Sequence, residues 1–362
     1  MFKKYKKNLI VIVIVVALLT VIQFVLPDYS RVVGWYNHYV FKPFQSFRNL
    51  IFSIFPFSVG DLLYLVGALV LVYTLCKWIY YLIYIRKYKY ELGLSFIRSL
   101  CTIGILYIVF LLGWGGNYYK QSLSEYWNLK RDTLPQHDAT LIAFDRFLIE
   151  KLNTKAPKYR QVAFKNIDSA AKAFYEEYTN HSSYASKVKP SLFGNGMQYM
   201  HIQGYYNPFT GEAQVNKNLP SFMLPFVICH EMAHQQGIAK EDDANLLAYA
   251  LGTAVNDENF HYSAYFNIWL YTHRRLRMAD SSMADELKSG LNPLTLSHIK
   301  ELIAMREKYA SDVSDYSADI YDGYLKLHHQ NEGIRSYSKV WRSAWALEEK
   351  RKQIKDSIIL IP

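Results

Sequence analysis

Hydrophobic positions along the chain fall into two regimes. In the first third they form long continuous runs, and beyond about residue 117 they recur at helical spacing among polar residues. Leu9 to Leu26 is an almost unbroken run of Leu, Ile and Val, preceded by Lys3, Lys4, Lys6 and Lys7 and stopped by Pro27-Asp28. The run is longer than the apolar core of a cleaved signal peptide and lacks a small-x-small cleavage site, so it predicts an uncleaved span. Runs from Leu62 to Ile85 and from Phe96 to Trp114 are each long enough to cross about 30 Å of hydrocarbon at a rise of about 1.5 Å per residue. Three transmembrane helices, at about 9–26, 62–85 and 96–114, are expected. Lys77 interrupts the second and must snorkel from near its end.

The segment between the first two spans mixes Trp35, Tyr36, Tyr39, Phe41, Phe44, Phe47, Phe52 and Phe55 with Lys42, Arg48, Pro43 and Pro56. That composition predicts an interfacial hairpin or a surface-lying helix. The N-terminus and an expected loop at Arg86, Lys87 and Lys89 are basic, which places both in the cytoplasm by the positive-inside rule. Three spans then send the rest of the chain to the outer side of a bacterial inner membrane. Arg31, Lys42 and Arg48 in the aromatic segment oppose this orientation.

A membrane region of residues 1–116 and a polar domain of 117–362 are the expected divisions. In the second, Leu141, Phe144, Phe147, Leu148 and Leu152 recur at helical spacing, as do Ala163, Ile167, Ala170, Ala171 and Phe174, and these stripes are read as core. From Met197 to Asn216, Met-Gln-Tyr-Met-His-Ile-Gln alternates with period two, and Glu-Ala-Gln-Val-Asn follows the turn-rich Asn207-Pro-Phe-Thr-Gly211, which predicts a β-hairpin. The remainder reads as helix, with breaks near Gly237, Asn256, Gly290 to Pro293 and Asn331 to Gly333.

Composition narrows the function classes. An apolar share of 51% excludes a disordered chain. The 41 Lys and Arg exceed the 31 Asp and Glu, giving a formal charge of +10, but the excess gathers at the membrane flanks. With no basic-aromatic module present, nucleic-acid binding drops out, and the expected partners are the lipid bilayer and a peptide or protein substrate. Cys76 and Cys101 lie in apolar runs and Cys229 alone falls in the polar part, so no disulfide is expected.

The chemistry is carried by Val227-Ile-Cys-His230-Glu231-Met-Ala-His234-Gln-Gln-Gly237. On a helix, His230 and His234 lie four apart on one face and can converge on one divalent cation. Glu231, one residue off that face, can take a proton from a water made acidic by zinc. A chance His-Glu-x-x-His in this chain has a probability on the order of one or two in a hundred. Uncharged Val227, Ile228, Cys229, Met232 and Ala233 suit such a helix, Gln236 stands where a bulky apolar residue is usual, and Gly237 supplies a stop. Catalytic zinc takes three protein ligands and one open position, and Glu241 is the natural third, with Asp242 and Asp243 as the neighbouring alternatives. Asn245, one helical turn after Glu241, can hold the second nitrogen of a histidine.

The motif resembles that of the zincin metallopeptidases. Lys240 stands where metzincins have a third His, whereas Glu241-Asp-Asp-Ala-Asn245 is similar to the Glu-x-x-Ala-Asp/Asn element of zincins with a Glu ligand. The chain as a whole resembles a bacterial membrane family called domain of unknown function 3810. The matching features are the three spans, Pro56-Phe-Ser-Val-Gly-Asp61, His230 to Gly237, Glu241 to Asn245 and Gly333-Ile-Arg-Ser-Tyr-Ser338. The resemblance implies a mainly α-helical, zincin-like zinc peptidase domain with a small β-hairpin or sheet, and supplies no substrate. His201, Tyr205, Tyr206 and Tyr337 are candidates to donate to an oxyanion or to substrate, although with 31 tyrosines packing is the simpler role for each Tyr. His261, His273, His298, His328 and His329 are read as solvated or core residues, any of which becomes a candidate ligand if Glu241 is not. The expected function is therefore a membrane-anchored zinc metallopeptidase. The alternative is a non-enzymatic membrane protein with a structural or vestigial zinc site. An intramembrane protease is disfavoured by Pro220, Pro225, Asn216, Lys217 and Asn218 around the short apolar stretch before His230.

Overall fold

The computed structural model describes residues 2–28, 30–129, 138–178, 187–327 and 340–353. Two compact units divide the chain, one of residues 1–120 with 207–211 and one of 121–206 with 212–362.

In the first unit, α1 (Phe2–Asp28) is followed by α2 (Ser30–Tyr36), a π-helical stretch Asn37–Phe41, α3 (Lys42–Phe52), α4 (Val59–Ile83) and α5 (Ile85–Gly113). Helices α1, α4 and α5 are each long and apolar enough to cross a membrane, and most of their side chains face outward. Apolar surface turned outward along a whole helix suits a hydrocarbon solvent. α1 packs on α5 through Gly104, where a Cβ would fall 2.5 Å from Val15 Cγ1, a small-residue contact of the kind that lets helices approach closely in lipid. Lys77 lies with its amine 5.9 and 5.6 Å from the Tyr73 and Tyr81 rings, about two turns before the end of α4.

Two sequence expectations change here. The basic stretch Arg86 to Glu91 is helix rather than loop: a single residue, Tyr84, separates α4 from α5, and the change of direction is a kink at Tyr88 (φ −114°, ψ 15°). Arg, Lys and Glu are good helix formers and nothing in the stretch breaks a helix. The third apolar helix consequently starts well before Phe96. Of the two forms expected for the aromatic segment the helix is the one found, and α3 turns Gln45 and Arg48 inward, where Arg48 donates to the Gly113 carbonyl at 3.2 Å and to the Pro208 carbonyl.

The second unit holds α6 (Leu123–Tyr126), α7 (Asp138–Lys155), α8 (Phe164–Tyr178), β1 (Lys189–Pro190), α9 (Gly194–Tyr199), β2 (Gly204–Tyr206) and β3 (Ala213–Val215). It continues with α10 (Leu224–Gln235), α11 (Glu241–Ala254), α12 (Glu258–Ala279), α13 (Ser281–Ser289), α14 (Pro293–Lys308), α15 (Asp312–Leu327) and α16 (Val340–Gln353). The sheet order is β1-β3-β2, with β1 parallel to β3 and β2 antiparallel in the register Gly204↔Val215, Tyr205↔Gln214 and Tyr206↔Ala213. The hairpin is thus shorter than its alternation predicts. Met197 to Tyr199 belong to α9, where Met197 and Gln198 are both buried, and His201 (φ 53°) turns the chain before β2. Two adjacent buried residues cannot share one face of a strand, so the period-two pattern was not that of a half-buried strand.

The predicted stripes on α7 and α8 do pack as core, through Leu141, Phe144, Leu148 and Leu152 and through Ile167 and Ala171. At the centre lies α10, buried at every residue and packed on α8, α11, α12, β2 and β3. Its first turn carries Pro225, which fits where an amide is unsatisfied, and Ser263 Oγ of α12 accepts from Phe226 N at 3.1 Å. It ends at Gly237 (φ 83°), with Ile238 N returning to the Ala233 carbonyl at 3.2 Å, a stop that a left-handed glycine permits.

Candidate metal centre

His230 and His234 face the same side of α10, and Glu241 opens α11 opposite them. His230 Nε2 is 3.1 Å from Glu241 Oε2 and His234 Nε2 is 3.7 Å from Glu241 Oε1. One donor atom from each residue lies within 4.8 Å of the other two, and all three residues are buried. Bonds of about 2.0–2.1 Å to a tetrahedral ion put neighbouring donors about 3.3 Å apart, so the two measured separations bracket the spacing such an ion needs.

The other ring nitrogens fix the orientation of both imidazoles. His234 Nδ1 lies 2.7 Å from the Ile238 carbonyl, which can only accept, so Nδ1 carries the hydrogen and Nε2 presents its lone pair to the site. His230 Nδ1 lies 3.0 Å from Asn245 Oδ1, which accepts in the same way. The Gly237 turn that ends α10 is what brings the Ile238 carbonyl back under His234. Glu241 stands in the acidic first turn of α11 with Asp242 and Asp243, where the helix dipole favours carboxylates. Neither Asp belongs to the three-residue group.

Glu231 is buried next to these ligands, and its Oε2 has no hydrogen-bond partner among the described residues. Among the protein groups alone, burial pushes its carboxyl up to about 8, with Glu241 adding to the rise and His230 opposing it. Burial likewise pushes His234 down to about 4, which keeps the imidazole neutral as a ligand must be. Burial would lower His230 too, but the Glu241 carboxylate beside it outweighs that and holds it above its ordinary value. The Glu241 carboxylate thus favours positive charge between itself and the imidazoles.

Strand β2 runs along the other side of Glu231. A Cβ on Gly204 would fall 2.5 Å from Glu231 Oε1 and 2.8 Å from the Gln214 carbonyl, so only glycine allows the approach. The Tyr206 ring, two residues on and on the same strand face, lies 6.4 Å from that of His234, whereas strand alternation turns Tyr205 to the opposite face. His201 is exposed in the turn before β2. Tyr337 lies outside the described residues, as do His328, His329 and the segment Gly333 to Ser338. Three other candidate histidines are engaged elsewhere: His298 stacks on Phe222 and meets the Tyr262 hydroxyl at 2.8 Å, His273 stacks on Trp269, and His261 is 3.8 Å from Glu258. Cys229 is buried and burial pushes its thiol up, away from the thiolate a metal needs. Gln236 ends α10 with its carboxamide buried and neither atom bonded among the described residues. Gly204 was missed by the sequence reading, since no local pattern distinguishes it.

Fold and site together define a mainly helical protein with three helices able to cross a membrane and a buried His–His–Glu group able to hold a metal ion. The family model described as Protein of unknown function (DUF3810) matches residues 36–342, and the chain belongs to that family. No curated protein and no solved structure matches it.

Proposed function

We propose that the protein is a membrane-anchored zinc metallopeptidase of the zincin type, acting on peptide bonds at the outer side of the inner membrane. His230, His234 and Glu241 would hold Zn²⁺, and Glu231 would be the general base. The observation that carries this reading is the buried Glu231 carboxylate, with one oxygen unbonded among the described residues, set beside a buried His–His–Glu group. When bound, zinc supplies Lewis acidity that polarises a carbonyl and makes water acidic near neutral pH.

The protein's own part follows from the geometry. Glu231 Oε2 accepts a proton from water and later returns it to the leaving amine, a role suited to a carboxylate buried beside the ligands with that oxygen unbonded among the described residues. His234 and His230 keep their Nε2 lone pairs directed inward because Ile238 and Asn245 hold their Nδ1 atoms. β2 is an edge strand, and an extended peptide can add to it alongside Glu231. Tyr206, on the face towards His234, is the best placed of the oxyanion candidates.

A structural zinc site is the alternative. Such sites are closed by a fourth protein ligand, and the group found among the described residues has three members. Two imidazoles and a carboxylate also suit ferrous iron, but oxygen chemistry gives no role to a buried base such as Glu231. The test is metal analysis of the full chain purified in detergent, together with mass spectrometry of a peptide library incubated with it. Zinc near one per chain and cleavage that a chelator stops are expected; a chain that binds no zinc, or zinc without cleavage, contradicts the reading.

A further inference from the structure

Helix α3 is amphipathic in the reverse of the usual sense, with Phe47 and Leu50 exposed and Gln45 and Arg48 buried. An outward apolar face suits lipid, but two inward polar side chains cost free energy unless their donors find acceptors. The acceptors come from a distant part of the sequence. Gln45 Nε2 donates to the Gly211 carbonyl at 2.9 Å, and Arg48 Nη1 donates to the Pro208 carbonyl. Arg48 Nη2 donates to Gln45 Oε1 at 2.6 Å and to the Gly113 carbonyl at 3.2 Å, which ties the two side chains together and to the end of α5. Residues 207–211 accordingly belong to the first unit, although β2 and β3 on either side of them belong to the second.

The loop is shaped to receive these donors. Asn207 Oδ1 accepts from Phe209 N at 3.0 Å and from Thr210 N at 3.1 Å, and Gly211 N returns to the Asn207 carbonyl at 2.8 Å. The turn thus satisfies its own amides and leaves the Pro208 and Gly211 carbonyls to α3. Gly211 has φ 70°, and a Cβ there would fall 2.9 Å from Gln45 Oε1 and 3.0 Å from Arg48 Nε, so glycine is needed both for the turn and for the approach. Immediately before the loop, Tyr206 ends β2 with its ring 6.4 Å from that of His234. Only Tyr205 and Tyr206 separate Asn207 from Gly204, the residue that abuts Glu231. So short a tether lets the loop shift only if the strand shifts with it.

We propose that Gln45 and Arg48 are positioning residues: by gripping the Pro208 and Gly211 carbonyls they fix the loop between β2 and β3, and through it the strand that packs on Glu231. The catalytic consequence rests on the peptidase reading above, whereas the grip itself does not. A peptide bonded along β2 moves with the strand, so loosening the loop keeps substrate binding and loses the alignment of the cleaved bond with Glu231 and the metal ligands.

The test is hydrogen exchange, read by mass spectrometry on the full chain in detergent, with metal content and steady-state kinetics on the same samples. Gln45→Glu keeps the acceptor for Arg48 but sets a carboxylate against the Gly211 carbonyl in place of an amide donor. Gly211→Ala disturbs the same contact from the loop side, with the sequence of α3 unchanged. In both variants the segment 204–215 should exchange about tenfold faster than in the wild type, the scale of one lost hydrogen bond, while α5 and α10 exchange as before. Metal content should be unchanged, and kcat per bound metal should fall about tenfold with KM as in the wild type. Wild-type exchange of the hairpin in both variants overturns the proposal, and so does faster exchange spread equally over α5 and α10, the mark of a general loss of stability. Faster hairpin exchange with kcat unchanged overturns the positioning role and leaves the peptidase reading standing. Faster hairpin exchange in the variants of a chain that holds metal but cleaves no peptide upholds the grip and overturns the peptidase reading.

Discussion

Gly204 lies so close to Glu231 that a Cβ on the glycine would stand 2.5 Å from Glu231 Oε1. The edge strand and the proposed base are therefore packed as one piece, and the position of the carboxylate depends on a residue in a different segment of the chain. Gly204→Ala should displace the carboxylate or the strand while leaving the three metal ligands in place. Hydrolysis should fall on the order of a hundredfold, as for other misplacements of about 1 Å, with zinc content unchanged. Kinetics and metal analysis on the same preparation check this; wild-type turnover in Gly204→Ala would show that the approach has no functional weight.

Asn245 acts through His230. Replacing it with Ala removes the acceptor 3.0 Å from Nδ1 and frees the ring to turn or change tautomer. Metal affinity should fall about 10–100-fold, in the range found for partners of ligating histidines. Competition with a chelator of known affinity measures it, and an unchanged constant would mean that packing alone orients His230.

Glu241→Gln should weaken metal binding more than either Asp242→Asn or Asp243→Asn, because only Glu241 faces both imidazoles. Removing the metal should lower the melting temperature of the wild type, since an ion at a hundred times its dissociation constant contributes about 2.7 kcal/mol to stability. The chelator-induced drop should shrink in Glu241→Gln. Loss of zinc in Asp242→Asn or Asp243→Asn, with Glu241→Gln unaffected, would reassign the third ligand.

Orientation in the membrane is open to a direct check. A reporter active only outside the cytoplasm should work when fused after residue 120 and fail when fused within Arg86 to Glu91. The reverse pattern would put the metal centre in the cytoplasm.

The parts of this account that were legible in the sequence are those set by local spacing. His230 and His234 four apart, and Glu241 and Asn245 four apart, share helix faces by geometry alone, and the apolar runs mark α1, α4 and α5 without reference to the rest of the chain. The approach of Gly204 to Glu231 was not legible, because it depends on how a strand packs against a helix. Met197 to Tyr199 misled because alternation over so few residues fits a helical turn as well as a strand, and burial of both Met197 and Gln198 decided for the turn. Arg86 to Glu91 misled through charge: basic residues were read as loop, although their side chains favour helix.

The central claim is that Glu231 moves the proton and does not hold the metal. Glu231→Gln preserves size and helix propensity but cannot accept a proton, so zinc content and hydrolysis of a cleaved library peptide, measured together on this variant in the full chain, test it most directly. The account predicts about one zinc per chain with hydrolysis reduced on the order of a hundredfold or more. Zinc lost along with activity would make Glu231 a ligand, and hydrolysis kept at the wild-type rate would contradict the mechanism outright.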